Sequence, residues 1–279
     1  MLRRIHMIYQ KIELNEVGSK NSYATTYIWN TNHELPQKKR PTIVICPGGA
    51  YTFVSYREGE PVAFRFLSMG YNVVVLRYSV YPDATYPTAL NELGRVVLTL
   101  REHSDEWLID KEKIILMGFS AGGHLAGLFS CAWNRSQLAE SLGCSSDMLK
   151  PNGLVFGYPV INSGKYAHEG TFNNLLGDRF DELVEQMSLE NQITKDNPPT
   201  FLWHTLTDGI VPVENSVIFA SALKEKGISV ELHIYSEGEH GLSLANEITA
   251  AYDSQILPSC QGWVDLVHQW VLKIFNTQR

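Results

Sequence analysis

The sequence predicts an α/β fold with about eight strands in a mostly parallel sheet flanked by helices. Strand-like and helix-like segments alternate along the chain, which is typical of sequential strand–helix–strand units. The strand-like segments are short and almost continuously apolar, as strands buried on both faces are. They cover residues 42–46, 72–78, 113–117, 153–158, 200–204 and 229–235. We expect a single domain over residues 1–279, because one series of about eight strands with interleaved helices runs along the chain.

Two earlier segments predict a different kind of strand. Residues 6–14 and 23–30 alternate polar with apolar positions and are rich in aromatic or β-branched side chains. Such alternation is typical of strands with one solvated face. We therefore expect an antiparallel pair at one edge of the sheet.

Helical patterns separate the apolar segments. The predicted helix at residues 60–69 is followed by Gly70 and the one at residues 213–226 by Gly227, and glycine is the usual residue after a helix end. The second opens at Pro87, a residue favoured in the first helical turn. The predicted helices cover residues 60–69, 87–101, 121–133, 213–226 and 261–275.

One long insertion, at about residues 159–197, interrupts this rhythm. It contains one predicted helix, over residues 182–192. In a compact α/β chain such an insertion is either a disordered loop or a functional lid, and we favour the lid.

Composition and charge exclude several classes of function. The chain is 44% hydrophobic and 19% charged, which is ordinary for a globular protein, and its net charge of −7 gives no reason to expect nucleic acid. We expect no membrane partner, because no apolar run is long enough to span a bilayer and none resembles a signal peptide. The four cysteines show neither metal-like spacing nor a disulfide framework, so we expect a cytoplasmic protein with no metal.

A candidate nucleophile lies in the sequence Gly-Phe-Ser-Ala-Gly at residues 118–122. The bare pattern is weak, but a predicted strand leads directly into it and a predicted helix leads directly out. A turn this tight forces the central residue, Ser120, into strained backbone angles, and its small neighbours permit that. The serine hydroxyl would then stand at a helix N-terminus, where developing negative charge is stabilised.

A glycine-rich loop after the first parallel strand predicts an oxyanion hole. The loop is Pro47-Gly-Gly-Ala-Tyr51, and its small residues allow a close approach of backbone to substrate. A tetrahedral intermediate needs backbone N–H groups directed at its oxyanion. We expect these donors to be Gly49, Ala50 and Ala121, the last being the residue after the nucleophile.

Candidates for the acid and the base follow the last two predicted parallel strands. Asp208 lies beyond the strand at 200–204, and His240 lies in a glycine-rich turn beyond the strand at 229–235. An aspartate can orient an imidazole and stabilise its charged form. His204 is close to Asp208 in sequence but is expected to pack or hydrogen-bond in the core. His124 is expected to be buried, whereas His168, in the insertion, could touch substrate.

With these elements in place, the chain resembles the α/β-hydrolase esterases of the acetyl-esterase and acetylxylan-esterase-like group, related to hormone-sensitive-lipase-type carboxylesterases. The most specific part is Ser120-Ala-Gly-Gly-His124, and the resemblance spans about residues 43–241. It implies hydrolysis of a short acyl ester, often an acetyl group on a sugar, without a cofactor. It also implies that Ser120, Asp208 and His240 form the triad. Lipase-like relatives carry His before the glycines; this chain has Pro47, which favours the sugar-esterase branch.

Contacts to the alcohol part of a substrate are harder to predict. We expect the aromatic ring of Tyr51, together with Phe53 and Tyr56, to stack on a sugar, and Arg57 or Glu58 to bond its hydroxyls. Two other functions use the same scaffold. A serine peptidase or aryl-formamidase would share the triad, and a non-catalytic binding protein would normally lack one of its members. The sequence leaves oligomeric state open.

Overall fold

One eight-stranded sheet organises the residues that the structure, a computed structural model, describes: 7–30 and 37–276. The strand order is β1-β2-β4-β3-β5-β6-β7-β8. The strands are β1 Met7–Glu13, β2 Tyr23–Trp29, β3 Arg40–Cys46, β4 Asn72–Arg77, β5 Ile109–Phe119, β6 Gly153–Gly157, β7 Thr200–Thr205 and β8 Val230–Tyr235. The predicted fold class is confirmed.

The first two strands form the expected antiparallel pair at one edge. β1 pairs only with β2, and β2 pairs antiparallel with β4. From β4 to β8 every neighbouring pair is parallel. His6, which the sequence placed at the start of the first strand, lies outside the described residues.

β5 begins well before the predicted segment. It starts at Ile109 rather than at residue 113, and its pairing with β3 shifts register between Arg40 and Thr42. Asp110 and Glu112 interrupt the apolar run, so hydrophobic pattern alone does not reveal this part of the strand. The carboxyl end of β5, where the chemistry is expected, lies where the sequence predicts it.

Helices cover both faces of the sheet. One core face contains side chains of the helices at residues 88–102, 121–132 and 214–225, and the other contains those of the helices at residues 60–68 and 263–276. Successive residues of β3 point to opposite faces, so Val44 lies in one core and Ile45 in the other. The helices are α1 Glu60–Ser68, α2 Thr88–Glu102, α3 Ala121–Ala132, α4 Ser136–Leu142, α5 Glu169–Leu176, α6 Phe180–Leu183, α7 Glu214–Glu225 and α8 Trp263–Asn276.

The insertion at residues 159–197 contains short helices. The predicted helix over residues 182–192 is wrong: α6 has only four residues and is followed by the 3₁₀ helices Val184–Met187 and Leu189–Gln192. Ser188 separates these two in an extended conformation, so no regular helix continues through it. The longest helix of the insertion is α5, which the sequence analysis did not predict.

Two further observations bear on function. Within residues 7–30 and 37–276, no helix is both long and apolar enough to cross a membrane. The thiols of Cys46, Cys131, Cys144 and Cys260 are free, and all but Cys144 are buried.

Candidate active site

Ser120 occupies a strained turn between β5 and α3. Its backbone angles are φ 51° and ψ −122°, which a residue with a side chain rarely adopts. The turn depends on a close approach of α3 to the end of β3. A Cβ at position 122 would lie 2.0 Å from the carbonyl oxygen of Cys46, so only glycine fits there. This packing brings Ser120 beside the loop that follows β3.

Ser120, His240 and Asp208 form one hydrogen-bonded chain. The Ser120 Oγ lies 2.8 Å from His240 Nε2, and His240 Nδ1 lies 2.7 Å from Asp208 Oδ2. The three residues follow β5, β8 and β7, all of which run parallel, so their loops meet at the carboxyl edge of the sheet. Distant parts of the chain thus meet in the geometry that nucleophilic catalysis by serine requires.

The surroundings of Asp208 keep its carboxylate ionised. Burial raises its pKa, but hydrogen bonding from His204 and His240 outweighs burial and holds the pKa of Asp208 well below its usual range. Its Oδ1 also accepts hydrogen bonds from the N–H groups of Ile210 and Val211, each at 2.9 Å. Because an ionised carboxylate only accepts, His240 must carry its proton on Nδ1. Its Nε2 is then free to accept the Ser120 hydroxyl proton.

His204 has a second contact that the sequence did not reveal. As expected, it is fully buried and bonded in the core: Nδ1 lies 2.8 Å from Ser216 Oγ and Nε2 lies 3.0 Å from the carbonyl oxygen of Val211. The same Nε2 also lies 3.3 Å from Asp208 Oδ2. A buried histidine therefore contacts the same carboxylate oxygen of Asp208 as His240 does.

The loop after β3 lies against the nucleophile in an unusual conformation. Gly49, Ala50 and Tyr51 all have positive φ, at 130°, 50° and 57°. A Cβ at position 48 would lie 2.9 Å from the Cβ of Ser120. The N–H groups of Gly49, Ala50 and Ala121 donate no hydrogen bond to another residue that the structure describes. These three predicted oxyanion donors thus flank Ser120 with their backbone N–H groups unpaired.

The three side chains predicted to contact substrate have partners within the fold. Tyr51 is buried, with its hydroxyl 3.3 Å from His124 Nδ1. The Arg57 guanidinium donates to the carbonyl oxygens of Gly241 and Thr249 and to the Gln255 side chain. The ring of Tyr51 is therefore not exposed for stacking, and the Nε and Nη2 groups of Arg57 are used within the fold.

The third predicted substrate contact, Glu58, also has its partners within the fold. Its carboxylate is buried and accepts hydrogen bonds from the Gly48 N–H and from the Tyr158 hydroxyl, both at 2.7 Å. The partners of Arg57 and Glu58 come from distant parts of the chain, so no local sequence signal could have shown these contacts.

His124 supports the loop that follows β3 through a contact with Tyr51. It is fully buried, and burial lowers its pKa to about 4, so the ring is neutral. The Met187 carbonyl, 3.1 Å from Nε2, can only accept, so Nε2 carries the proton. Nδ1 therefore accepts from the Tyr51 hydroxyl. The ring joins the insertion to the loop after β3.

The insertion also contacts the site directly. The Asn174 side-chain amide donates to the Ala50 carbonyl oxygen at 2.8 Å. His168 is partly buried, with Nδ1 2.8 Å from Thr171 Oγ1, and burial together with the nearby His240 lowers its pKa. Two exposed apolar side chains belong to the loops of the site: Phe53, which packs against Gly49, is 60% exposed, and Ile210, whose N–H bonds to Asp208, is 56% exposed.

No metal centre accompanies these residues in the part of the chain that the structure describes. There, no three histidine, cysteine, aspartate or glutamate side chains are grouped as a metal ion would require. A serine–histidine–aspartate chain, with the serine on a strand-to-helix turn above a mostly parallel sheet, defines the class of the α/β hydrolases.

The chain belongs to the BD-FAE family of α/β hydrolases, whose model matches residues 31–223. It is similar to the crystal structure of an acetyl ester-xyloside bifunctional hydrolase from Caldicellulosiruptor lactoaceticus, with 37% identity, a TM-score of 0.78, and coverage of 91% of this chain and 88% of that one.

Two relatives of greater length match most of the chain. Endo-1,4-beta-xylanase B of Butyrivibrio fibrisolvens is 34% identical over 249 residues, which cover 86% of this chain and 38% of that protein. The acetylxylan esterase of Xylanibacter ruminicola is 29% identical over 231 residues, which cover 80% of this chain and 45% of that protein. The chain thus spans less than half the length of these two relatives. By family it stands among the α/β hydrolases.

Proposed function

We propose that this chain removes short acyl groups, above all acetyl, from a sugar or similar small alcohol by an acyl-enzyme mechanism. The observation that carries the proposal is the continuous hydrogen-bonded chain from Ser120 Oγ through His240 to Asp208. In this mechanism Ser120 is the nucleophile, His240 the general base, and Asp208 the group that orients it.

The acylation step follows from the proton positions. His240 Nε2 takes the hydroxyl proton as Ser120 Oγ bonds to the ester carbonyl carbon, and the carbonyl oxygen becomes an oxyanion. The N–H groups of Gly49, Ala50 and Ala121 would hold that oxyanion. His240 then returns the proton to the alcohol oxygen as the ester C–O bond breaks, which leaves an acyl group on Ser120.

Deacylation repeats the same proton transfers with water. His240 takes a proton from water as the oxygen bonds to the acyl carbon, and then protonates Ser120 Oγ as that bond breaks. Asp208 stays ionised throughout and stabilises the imidazolium that forms in each step. Neither step needs a metal or a cofactor.

The substrate part of the proposal draws on the similar proteins and on the surface around the site. One is named an acetylxylan esterase and another an acetyl ester-xyloside bifunctional hydrolase. In this chain, the exposed Phe53 and Ile210 belong to the loops of the site and could contact the face of a sugar ring. We also propose that residues 159–197 act as a lid that forms one wall of the site, since Asn174 and His168 come from them.

The nucleophile is tested with Ser120→Ala. We expect turnover of p-nitrophenyl acetate to fall by at least about 10⁴-fold, because removing the nucleophile of a triad leaves only binding and the oxyanion hole. A fluorophosphonate probe should label the unmodified protein and not the variant. Ser130→Ala is a matched control, since Ser130 is a buried serine of the same helix that bonds only within the fold. Retained turnover in Ser120→Ala would overturn the assignment.

The substrate is tested with a panel. Chromogenic acetate, butyrate and octanoate esters would be compared with acetylated xylose and xylo-oligosaccharides, and with an anilide and an N-formyl aniline. We expect the highest kcat/KM for acetate and release of acetate from the sugars. Faster cleavage of the anilide or the formanilide would instead identify a peptidase or a formamidase on the same triad.

A further inference from the structure

Glu58 is a buried carboxylate with no role in the acyl transfer described above. Its Oε2 accepts the N–H of Gly48, at the base of the oxyanion loop, at 2.7 Å. Its Oε1 accepts the hydroxyl of Tyr158, also at 2.7 Å. A buried carboxylate is costly unless hydrogen bonds compensate for the lost water, and these two contacts supply that compensation.

The contact with Tyr158 continues to the loop that carries His240. The Tyr158 hydroxyl accepts the N–H of Ser243 at 2.9 Å, and Ser243 lies three residues after His240. The ring of Tyr158 also packs edge-on against the imidazole of His240, with the centroids 5.0 Å apart. Tyr158 is fully buried, and burial together with the charge of Glu58 raises the pKa of its phenol, so it donates as a neutral hydroxyl.

We propose that Glu58 is a positioning residue that couples the oxyanion loop to the His240 loop through Tyr158. The path runs from the Gly48 N–H to the Glu58 carboxylate, to the Tyr158 hydroxyl, to the Ser243 N–H. The inference rests on the proposed function, because it concerns the alignment of two parts of the same acyl-transfer site.

Only a carboxylate makes both contacts at once. Gly48 presents an N–H, and the Tyr158 hydroxyl, which already accepts from Ser243, must donate as well. Glu58 must therefore accept at both ends, which an ionised carboxylate does and an amide does not. In Glu58→Gln the amide N–H₂ group would replace one carboxylate oxygen, so it would face either the Gly48 N–H or the Tyr158 hydroxyl, and both of these are donors. The link would break while side-chain size stayed the same.

The test is the steady-state kinetics of Glu58→Gln with p-nitrophenyl acetate. We expect kcat to fall about 10- to 100-fold with KM within about threefold, because an alignment shift of about an ångström costs transition-state stabilisation rather than ester binding. Circular dichroism and thermal melting would establish that the variant is folded at the assay temperature. A folded Glu58→Gln with kcat within about threefold of the unmodified protein overturns the proposal.

The matched control is Glu92→Gln. Glu92 is also a buried carboxylate that accepts from a backbone N–H and from hydroxyl groups, those of Ser79 and Ser19. Its partners connect the turn after β1 to the segment after β4. A general penalty for altering a buried carboxylate would lower the melting temperature of both variants. A positioning role lowers kcat in Glu58→Gln alone, so an equal loss of kcat in Glu92→Gln also overturns the proposal.

Tyr158→Phe reaches the same link from its other end and keeps the ring against His240. If Glu58→Gln fails to fold, Tyr158→Phe tests the proposal in its place. A fall in kcat of about tenfold or more supports the link between Glu58 and Tyr158, and an unchanged kcat overturns it. Where both variants fold, the double variant should lose little more than either alone, since both break one path. Ser120→Ala in the same assay separates the two proposals. If it is inactive and Glu58→Gln is normal, only the positioning role fails.

Discussion

The two halves of the candidate site are built in different ways. The nucleophile half, residues 46–51 and 118–124, is shaped by the backbone: Ser120, Ala50 and Tyr51 all have positive φ, and α3 packs tightly on the end of β3. The acid–base half, residues 204–211 and 236–249, is held by side chains that arrive from elsewhere, such as Arg57 on the Gly241 carbonyl.

This difference explains which supporting contacts the sequence reveals. A turn that admits only small residues leaves a compact signature, and Gly-Phe-Ser-Ala-Gly is such a signature. A loop held by hydrogen bonds from remote residues leaves no compact sequence signature, because the loop and the residues that bond to it are far apart in the sequence. We therefore expect close backbone packing to maintain the nucleophile half and side-chain hydrogen-bond donors to align the acid–base half.

The largest effect is expected in the nucleophile half, from Gly122→Ala. The added Cβ would lie 2.0 Å from the Cys46 carbonyl oxygen and 2.4 Å from that of Pro47, so α3 must move away from β3. That movement would separate the Ala121 N–H from the loop donors Gly49 and Ala50. We expect kcat for p-nitrophenyl acetate to fall by about 100-fold or more, comparable to the loss of an oxyanion donor, with a clear loss of melting temperature.

A glycine with free space provides the control. A Cβ at position 262, just before α8, would meet no atom within 4 Å. Gly262→Ala should leave both kcat and melting temperature close to those of the unmodified protein. If Gly122→Ala behaves the same way, the nucleophile half does not depend on close backbone packing.

A smaller effect is expected in the acid–base half, from Arg57→Met. Methionine keeps much of the apolar stem but none of the donors to Gly241, Thr249 and Gln255. Because Gly241 adjoins His240, we expect the imidazole to lose its alignment and kcat to fall about 10-fold or more with little change in KM. Single-turnover labelling by a fluorophosphonate should slow to the same extent.

Arg65→Met tests whether this result is specific. Arg65 is an exposed residue of α1, so the same substitution there removes a surface charge only. We expect its kcat to be unchanged. A normal labelling rate in Arg57→Met would show that the His240 loop keeps its position without these donors, and would remove the contrast between the two halves.

The sequence predicted the sheet and the meeting of Ser120, His240 and Asp208 for one physical reason, and missed other features for another. Apolar strands are local patterns, and the order of Ser120, Asp208 and His240 after successive strands can be read directly from the sequence. The helix predicted over residues 182–192 failed because short 3₁₀ turns carry no lasting periodicity. Tyr51 and Glu58 were assigned to substrate because their residue types suit sugars. Their actual partners, His124 and Tyr158, become neighbours only in the folded chain.

The smallest effect concerns stability and involves His124, which lies behind the nucleophile half. Its pKa is about 4 in the folded protein and 6.5 when unperturbed, so between these values the unfolded chain binds a proton that the folded chain does not. The stability linked to His124 is therefore complete above about pH 7 and is lost as pH falls from 6.5 to 4. The loss is on the order of 3 kcal/mol, since one pKa unit is worth about 1.4 kcal/mol.

His124→Phe should remove this dependence while keeping a ring in the same space. At pH 8 the variant should be the less stable protein by about 1–3 kcal/mol, because the Tyr51 hydroxyl and the Met187 carbonyl lose their partner. As pH falls to 5 the gap should narrow, since only the unmodified chain is destabilised by proton uptake at this position. Urea unfolding at pH 8 and pH 5 measures both differences. A gap that stays constant would mean that His124 is not held neutral by burial. The insertion and the loop after β3 would then be joined by a ring that titrates in its ordinary range.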